Sequence, residues 1–135
     1  MRRALAATAL LALSACALAA CTRATAAPTT RTVNLTIHHS AFEPAEVQVH
    51  PGETIRFVIR NTDPIDHEFI VGDLAVQDAH ERGTEAYHPP RPGEVTVPAG
   101  RTVRTRFTFG GHDLLFGCHI PGHWAYGMRG IVLVD

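Results

Sequence analysis

A cysteine, a histidine and a methionine follow one another at equal spacing near the end of this sequence. Cys118, His123 and Met128 lie five residues apart in the run CHIPGHWAYGM, so one loop can bring the three side chains to a common point. Thiolate and thioether sulfurs are soft metal ligands, and imidazole is a borderline one. Two imidazoles, one thiolate and a weak axial thioether form a blue-copper site. The run therefore predicts a copper site that still needs a second imidazole.

His67 is the candidate for that second imidazole. It begins a predicted strand directly after the turn-like stretch NTDPID, so it lies at a strand end, where a sandwich gathers its loops. A site built from one strand end and one loop has its geometry set by the scaffold, and the ligands then barely move when the oxidation state changes. Low reorganisation of this kind favours electron transfer.

The elements that must position these residues are short runs that alternate apolar and polar side chains. Ile55, Phe57 and Ile59 share one side of their run, for example, while Arg56 and Arg60 share the other. A string of such runs separated by Pro and Gly predicts an all-β protein, an antiparallel β-sandwich. The predicted strands are Val33 to His38, Glu46 to Val49, Thr54 to Arg60, His67 to Val71, Glu94 to Val97, Thr102 to Phe109, Asp113 to Cys118 and Gly130 to Val134.

One stretch, at about 72–93, breaks the alternation and is predicted to be a helical and irregular insertion. Asp73 is a candidate N-cap for a short helix from Leu74 to Arg82, and the run PPRP that follows cannot form regular structure. His80 and His88 lie on this insertion. We expect both to be solvated surface histidines, with copper loading as the alternative role.

The N-terminus has the pattern of an export signal. Residues 1–20 combine two arginines with an apolar, alanine-rich stretch, and the run LAAC resembles a lipobox whose Cys21 becomes lipidated. Residues 21–31 are then a flexible tether and residues 32–135 one folded domain. Two alternatives stay open: a shorter signal ending before Cys16, and ordinary cleavage near Ala24-Thr25-Ala26 that would release an untethered protein.

Charge and cysteine content narrow the function further. All 12 basic residues are arginines, against 13 acids, so the chain has no basic surplus to suggest nucleic-acid binding. Cys16 and Cys21 belong to the export segment, which leaves Cys118 alone in the domain and excludes an internal disulfide. In an oxidising compartment a lone thiol needs burial or a bound partner.

With these residues in place, the chain resembles the cupredoxin family of plastocyanin and azurin from about Val33 to Asp135. The stretch FEP through PGET is similar to the opening strands of that family, and the run HEF matches its first copper histidine. The resemblance implies a Greek-key sandwich, one type 1 copper ion held by His67, Cys118, His123 and Met128, and electron transfer between redox protein partners without a small-molecule substrate. We expect an exported, lipid-anchored monomer that is not an enzyme. Glu68 departs from the small amide or hydroxyl common after the first histidine.

Particular residues argue against other kinds of copper protein. Gly117 replaces the histidine of multicopper oxidases and no paired His-x-His motif exists, while the binuclear site of oxidase subunit II needs a second cysteine in the loop. A copper-scavenging or copper-delivery lipoprotein stays open as the alternative function, and a metal-free adhesion module is disfavoured by the complete ligand set. The residues around His123 form a possible apolar docking patch: Ile120, Pro121, Trp124 and Tyr126.

Overall fold

The computed structural model describes residues 29–84 and 89–135 of the chain. The predicted signal segment 1–20, the lipidated Cys21, most of the tether and His88 lie outside the described residues. Within the described part, no helix is long and apolar enough to cross a membrane.

The described residues form strands joined by tight turns, with one short helix in the predicted insertion. The strands are β1 (Thr30–His38), β2 (Ala41–Glu43), β3 (Glu46–Val49), β4 (Thr54–Asn61), β5 (His67–Gly72), β6 (Glu94–Val97), β7 (Thr102–Thr108), β8 (Leu114–Gly117) and β9 (Arg129–Val134), and the helix is α1 (Leu74–Glu81). All eight predicted strands are present, with ends shifted by up to three residues. The three-residue β2 is additional.

The strands build two facing sheets, as the sandwich prediction requires. One sheet has the order β2-β1-β4-β7 and the other the order β3-β9-β8-β5-β6. Both sheets are mixed, because β1 pairs with β4 and β3 pairs with β9 in parallel, whereas the remaining pairs are antiparallel. The parallel pairs arise because the chain crosses to the second sheet at β3 before β4 returns to lie beside β1. The predicted all-β sandwich is confirmed, and the two parallel pairs are a feature that the predicted antiparallel pairing did not include.

Four phenylalanines dominate the apolar layer between the sheets. Phe57, Phe69, Phe109 and Phe116 are all at most 1% exposed, and Phe57 and Phe69 pack with ring centroids 4.9 Å apart. Their strands supply alternating buried and exposed positions, as expected for sheets with one face on the core. This layer extends to Cys118 and Met128, so the predicted site lies at one end of the hydrophobic core.

Strand directions define the two ends of the sandwich. His67 begins β5, Cys118 follows β8, and the side chain of Asn61 at the end of β4 bonds to the turn that leads to His67. We call this end the ligand pole. Thr30 pairs with Thr54 in the parallel register of β1 and β4, so the described chain enters at the opposite end.

Helix α1 has the predicted cap at its start and packs closely on the sheet. The Asp73 carboxylate accepts a hydrogen bond from the Val76 N–H at 2.9 Å, as predicted for an N-cap, and Arg82 pairs with Asp78 at 2.7 Å. The prediction that His80 is a solvated surface residue was wrong: His80 is 8% exposed. It faces the sheet, where Nδ1 donates to the Val76 carbonyl at 2.8 Å.

Candidate metal centre

Three potential ligand atoms converge at the ligand pole. The Nδ1 atoms of His67 and His123 and the Sγ of Cys118 all lie within 4.8 Å of one another. His123 Nδ1 lies 3.3 Å from both Cys118 Sγ and His67 Nδ1, and Cys118 Sγ lies 4.0 Å from His67 Nδ1. The structure therefore brings together three of the four residues predicted as ligands, each by an atom able to bind a metal.

His67 is held in one ring orientation by a buried carboxylate. Its side chain is completely buried, and Nε2 lies 2.9 Å from Asp63 Oδ2. A carboxylate accepts hydrogen bonds, so in the neutral ring Nε2 carries the proton and donates it. The lone pair of Nδ1 is thereby directed at Cys118 and His123. A carboxylate on the far nitrogen of a ligand histidine fixes the tautomer and raises ligand basicity.

Asp63 is itself held by the backbone of the turn between β1 and β2. Its two oxygens accept hydrogen bonds from the N–H groups of His39 and Ser40, both at 2.8 Å. These two residues have φ of 51° and 52°, a left-handed pair that aims successive N–H groups at one carboxylate. Burial opposes ionisation of Asp63 most strongly, but the hydrogen bonds from Ser40, His39 and His67 outweigh it and lower the pKa of Asp63. The carboxylate is therefore charged at neutral pH.

Cys118 is fully buried and its sulfur accepts a backbone hydrogen bond. The Glu68 N–H donates to Sγ at 3.3 Å, and such a hydrogen bond would stabilise the thiolate form of Cys118. Burial raises the pKa of the Cys118 thiol to about 11, against the lowering effect of the Glu68 N–H. A thiol with this pKa holds its proton at neutral pH, and metal binding would release that proton because the thiolate is the ligand.

The loop between Cys118 and Met128 is closed on itself by backbone hydrogen bonds. The Met128 N–H donates to the His123 carbonyl at 2.9 Å, and the Cys118 N–H donates to the Met128 carbonyl at 3.1 Å. Met128 is 1% exposed, which fits an inward-facing thioether. Burial, followed by the proximity of His67, lowers the pKa of His123. A neutral imidazole is the form that binds metal.

The donor set fits copper well. One thiolate and two imidazole nitrogens, with a buried methionine on the same loop, match the His₂Cys site with an axial thioether in which copper is preferred. The site is also already assembled by hydrogen bonds on Asp63, Glu68 and the loop backbone, and among the described residues no buried side-chain nitrogen or oxygen lacks a partner. The assignment of the individual ligands stays a prediction.

Helix α1 supports the outer side of this loop through His119. The His119 ring stacks on Trp124 with centroids 4.8 Å apart, and its Nε2 lies 2.7 Å from the Gln77 Oε1. Gln77 Nε2 lies 3.2–3.4 Å from three backbone carbonyls, which orients the amide and leaves Oε1 to accept from His119. His119 Nδ1 lies 3.0 Å from Glu81 Oε2. His119 points away from Cys118, as strand alternation predicts.

The predicted docking patch is partly exposed beside His123. Tyr126 is 94% exposed and Pro121 is exposed, whereas Ile120, Trp124 and His123 are half-buried. The patch therefore has two exposed side chains, Tyr126 and Pro121, and two half-buried ones, Ile120 and Trp124.

Sequence reasoning missed Asp63 and Gln77, which position the site without binding the metal. Asp63 stood in a stretch interpreted only as a turn, although its place four residues before His67 was a usable signal. Gln77 and His80 lie three residues apart on α1, on one helix face, and both are buried. Two polar residues on one face look solvated in a sequence, so their burial was not predictable.

Comparisons with known proteins agree with this fold and with a copper cofactor. Residues 8–88 match the family model of the cupredoxin-like domain, a range that includes His67 and ends before Cys118. The copper-resistant cuproprotein CopI of Rubrivivax gelatinosus is 39% identical over 115 residues, covering 81% of this chain and 69% of that protein. The CopI protein of Pseudomonas aeruginosa is 28% identical over 146 residues, covering 83% of this chain and 80% of that protein.

Solved structures of the same fold are similar at low sequence identity. Auracyanin A, a blue copper protein from Chloroflexus aurantiacus, superposes with a TM-score of 0.63 at 21% identity, covering 78% of this chain and 99% of that chain. Rusticyanin from Thiobacillus ferrooxidans superposes with a TM-score of 0.56 at 20% identity, covering 81% and 79%. These similarities establish the shared fold.

Proposed function

Because this chain belongs to the cupredoxin family and its cofactor is one copper ion, we propose that it is a one-electron carrier between redox protein partners. His67, Cys118, His123 and Met128 would hold the copper. When bound, the ion would supply the chemistry, a one-electron change between Cu(I) and Cu(II). The observation that supports this most is the convergence of three donor atoms within 4.8 Å on a hydrogen-bonded scaffold.

The protein's own residues would keep the ligands still and exclude water. Asp63 fixes the His67 ring, Glu68 donates its N–H to Cys118, and the closed loop backbone fixes His123. A site that does not rearrange lowers the cost of changing oxidation state. Since His123 is the half-buried ligand, its edge is the proposed route of the electron, with Tyr126 and Pro121 as the contact surface for a partner.

We further propose that the protein works outside the cytoplasm as a monomer on a lipid anchor. The support is the sequence pattern of residues 1–20 and the lipobox-like run that ends at Cys21. Cys118, the one cysteine among residues 29–84 and 89–135, is buried, which also suits an oxidising compartment, where exposed thiols would be oxidised.

The test uses the exported protein, purified and loaded with Cu(II). We expect an intense thiolate-to-copper absorption band that bleaches on reduction and returns on oxidation. Cys118→Ser removes the sulfur ligand and should abolish the band, whereas the control His112→Ala, at an exposed histidine, should keep it. The intact mass of the same preparation reports whether Cys21 carries lipid. A Cys118→Ser variant that keeps both band and copper affinity would show that the site assignment is wrong.

The alternative function is copper scavenging or delivery, which the name of the CopI relatives favours. A scavenger should bind more than one equivalent and give copper to a chelator quickly, with the excess lost in His80→Ala combined with His88→Ala. His80 is bonded to Val76 and lies 3.4 Å from Glu94, so it is poorly placed to load copper. We therefore expect the protein to bind one equivalent of copper and to release it slowly to a chelator. The double variant should change neither the stoichiometry nor the release rate.

A further inference from the structure

The outer face of the four-stranded sheet, on the side away from the core, carries four arginines. Arg56 and Arg60 of β4 and Arg104 and Arg106 of β7 are all exposed. In the antiparallel register Arg56 lies directly opposite Arg106, and Arg104 lies opposite Val58 in the next outward pair. We call these four residues the arginine face.

Few groups in the described part of the chain offset the charge of this face. Within residues 29–84 and 89–135, none of the four arginine side chains has a hydrogen bond or an ion pair, and β1, β4 and β7 contain no acidic residue. The edge strand β2 contributes one exposed acid, Glu43, which is separated from Arg60 by Thr36 of β1 in the same outward row. Like charges directly opposite each other across a strand pair are destabilising. The arrangement therefore costs folding stability that an anion bound to the face would offset.

A shallow cavity indicates the chemistry of such an anion. Arg56, Arg104 and Arg106 line a cavity of about 450 Å³ together with Arg91. Arg91 already donates to Glu94 at 2.7 Å, so the other three supply the uncompensated charge. The planar guanidinium group pairs its N–H donors with two oxygens of a phosphate at once. The face is thus suited to phosphate groups.

The position of the N-terminal segment selects the source of those phosphates. The described chain enters at β1, which lies directly beside β4 in this same sheet. If Cys21 is lipidated, the nine residues to Thr30 span at most about 30 Å, which keeps the sheet close to the membrane. A flat face with charges spread over two strands matches a planar array of headgroups.

We propose that the arginine face docks on anionic phospholipid headgroups, so that the domain lies on its side at the membrane. The formal net charge of the whole chain is −1, so the attraction is local to this face. In this orientation the ligand pole stays accessible to partner proteins at the membrane surface. The proposal goes beyond electron transfer, and it rests on the proposed Cys21 anchor only for bringing the arginine face near the lipid headgroups.

The experiment is co-sedimentation of the exported protein with vesicles of phosphatidylcholine alone or mixed with phosphatidylglycerol. A lipid on Cys21 inserts equally into both, so the ratio of the two partition coefficients isolates the contribution of charge. We expect a ratio well above one that falls as salt is raised past about 0.15 M. Arg56→Gln combined with Arg106→Gln should lower binding to the mixed vesicles roughly 25-fold, at about fivefold per arginine.

The matched control is Arg82→Gln combined with Arg129→Gln, which changes net charge equally at exposed sites outside the face. It should bind within about twofold of the wild type. Thermal unfolding of both double variants checks that they are folded. Equal ratios for the two variants would overturn the proposal. So would binding of inorganic pyrophosphate to the face without any response to phosphatidylglycerol, or dimerisation that only the Arg56/Arg106 variant abolishes.

Discussion

Asp63 joins His67, a predicted ligand, to the turn between β1 and β2. Its carboxylate lies 2.9 Å from His67 Nε2 and accepts two backbone N–H bonds. The negative charge of the Asp63 carboxylate, next to the far nitrogen of His67, would favour bound Cu(II) over Cu(I), because the more highly charged ion gains more from it. The orientation of His67 depends on the same bond.

Asp63→Asn is predicted to weaken Cu(II) binding about 10- to 100-fold, the usual cost of losing such a partner. Cu(I) affinity should fall less, so the reduction potential should rise. The measurements are competition with a chelator in each oxidation state and redox titration. Asp66→Asn is the matched control, since Asp66 is an exposed acid that bonds only to the Ala99 N–H among the described residues. A reduction potential that changes equally in Asp63→Asn and Asp66→Asn would contradict the proposed role of Asp63 in positioning His67.

The convergence of Cys118, His123 and His67 was predictable from the sequence, whereas the groups that hold them were not. Cys118 and His123 lie five residues apart, so their spacing alone indicated that one loop could bring them together. Asp63 acts through a bond to the ring of His67 and two N–H groups more than twenty residues away, which only the folded turn creates. Residue types alone indicate soft metal ligands, whereas the partner and direction of a hydrogen bond depend on the folded structure.

At the scale of elements, helix α1 is a support for the ligand loop. Gln77 is 1% exposed and links the carbonyls of β5 and β8 to His119, which stacks on Trp124 beside His123. The insertion was predicted to be helical and irregular, because its residues lack strand alternation. The helix bounds followed from the cap at Asp73, but the face that packs is decided by tertiary contacts.

Gln77→Leu keeps the side-chain volume and removes every one of these hydrogen bonds. We expect a loss of about 1–3 kcal/mol in the free energy of unfolding of the copper-free protein, since buried polar partners are left unpaired. Amide exchange at Cys118 and Met128, whose N–H groups close the loop, should accelerate, while exchange in β4 changes only with global stability.

Asp78→Asn is the control on the same helix, because it breaks only the exposed ion pair with Arg82. Exposed pairs contribute little, so both measurements should stay near the wild type. If Gln77→Leu accelerates exchange in β4 and in the loop by the same factor, the helix stabilises the fold as a whole and does not specifically support the loop.

At the scale of the whole molecule, the alternation of side chains was enough to predict a sandwich, but the pairing of strands was not. Parallel contacts between β1 and β4 and between β3 and β9 depend on where the chain crosses between sheets, and local periodicity carries no such information. These parallel contacts set the end of the molecule at which each terminus lies. They leave the chain entry and the metal centre at opposite ends.

The end opposite the ligand pole is held by a buried acid. Glu53 is 6% exposed, and Arg31 Nε donates to it at 2.9 Å. The Arg31 hydrogen bond, supported by the N–H of His50, lowers the pKa of Glu53 against the opposing effect of burial. A carboxyl group with a lowered folded-state pKa stabilises the fold above its unfolded pKa, near 4.5, and this contribution is lost as pH falls through the folded value.

Glu53→Gln should therefore lower the free energy of unfolding by about 1 kcal/mol at neutral pH, a modest value because Arg31 is half-exposed. The difference from the wild type should shrink as pH falls below about 4.5. Urea unfolding at each pH measures the free energy of unfolding. The copper-free protein is used so that loss of copper at low pH does not contribute to the result. Glu46→Gln, at an exposed acid of β3, should change neither value. Asp63, whose pKa is also lowered, should keep part of the pH dependence of stability in every variant. If the plots of unfolding free energy against pH for Glu53→Gln and the wild type stay parallel down to pH 3, Glu53 does not contribute to that dependence.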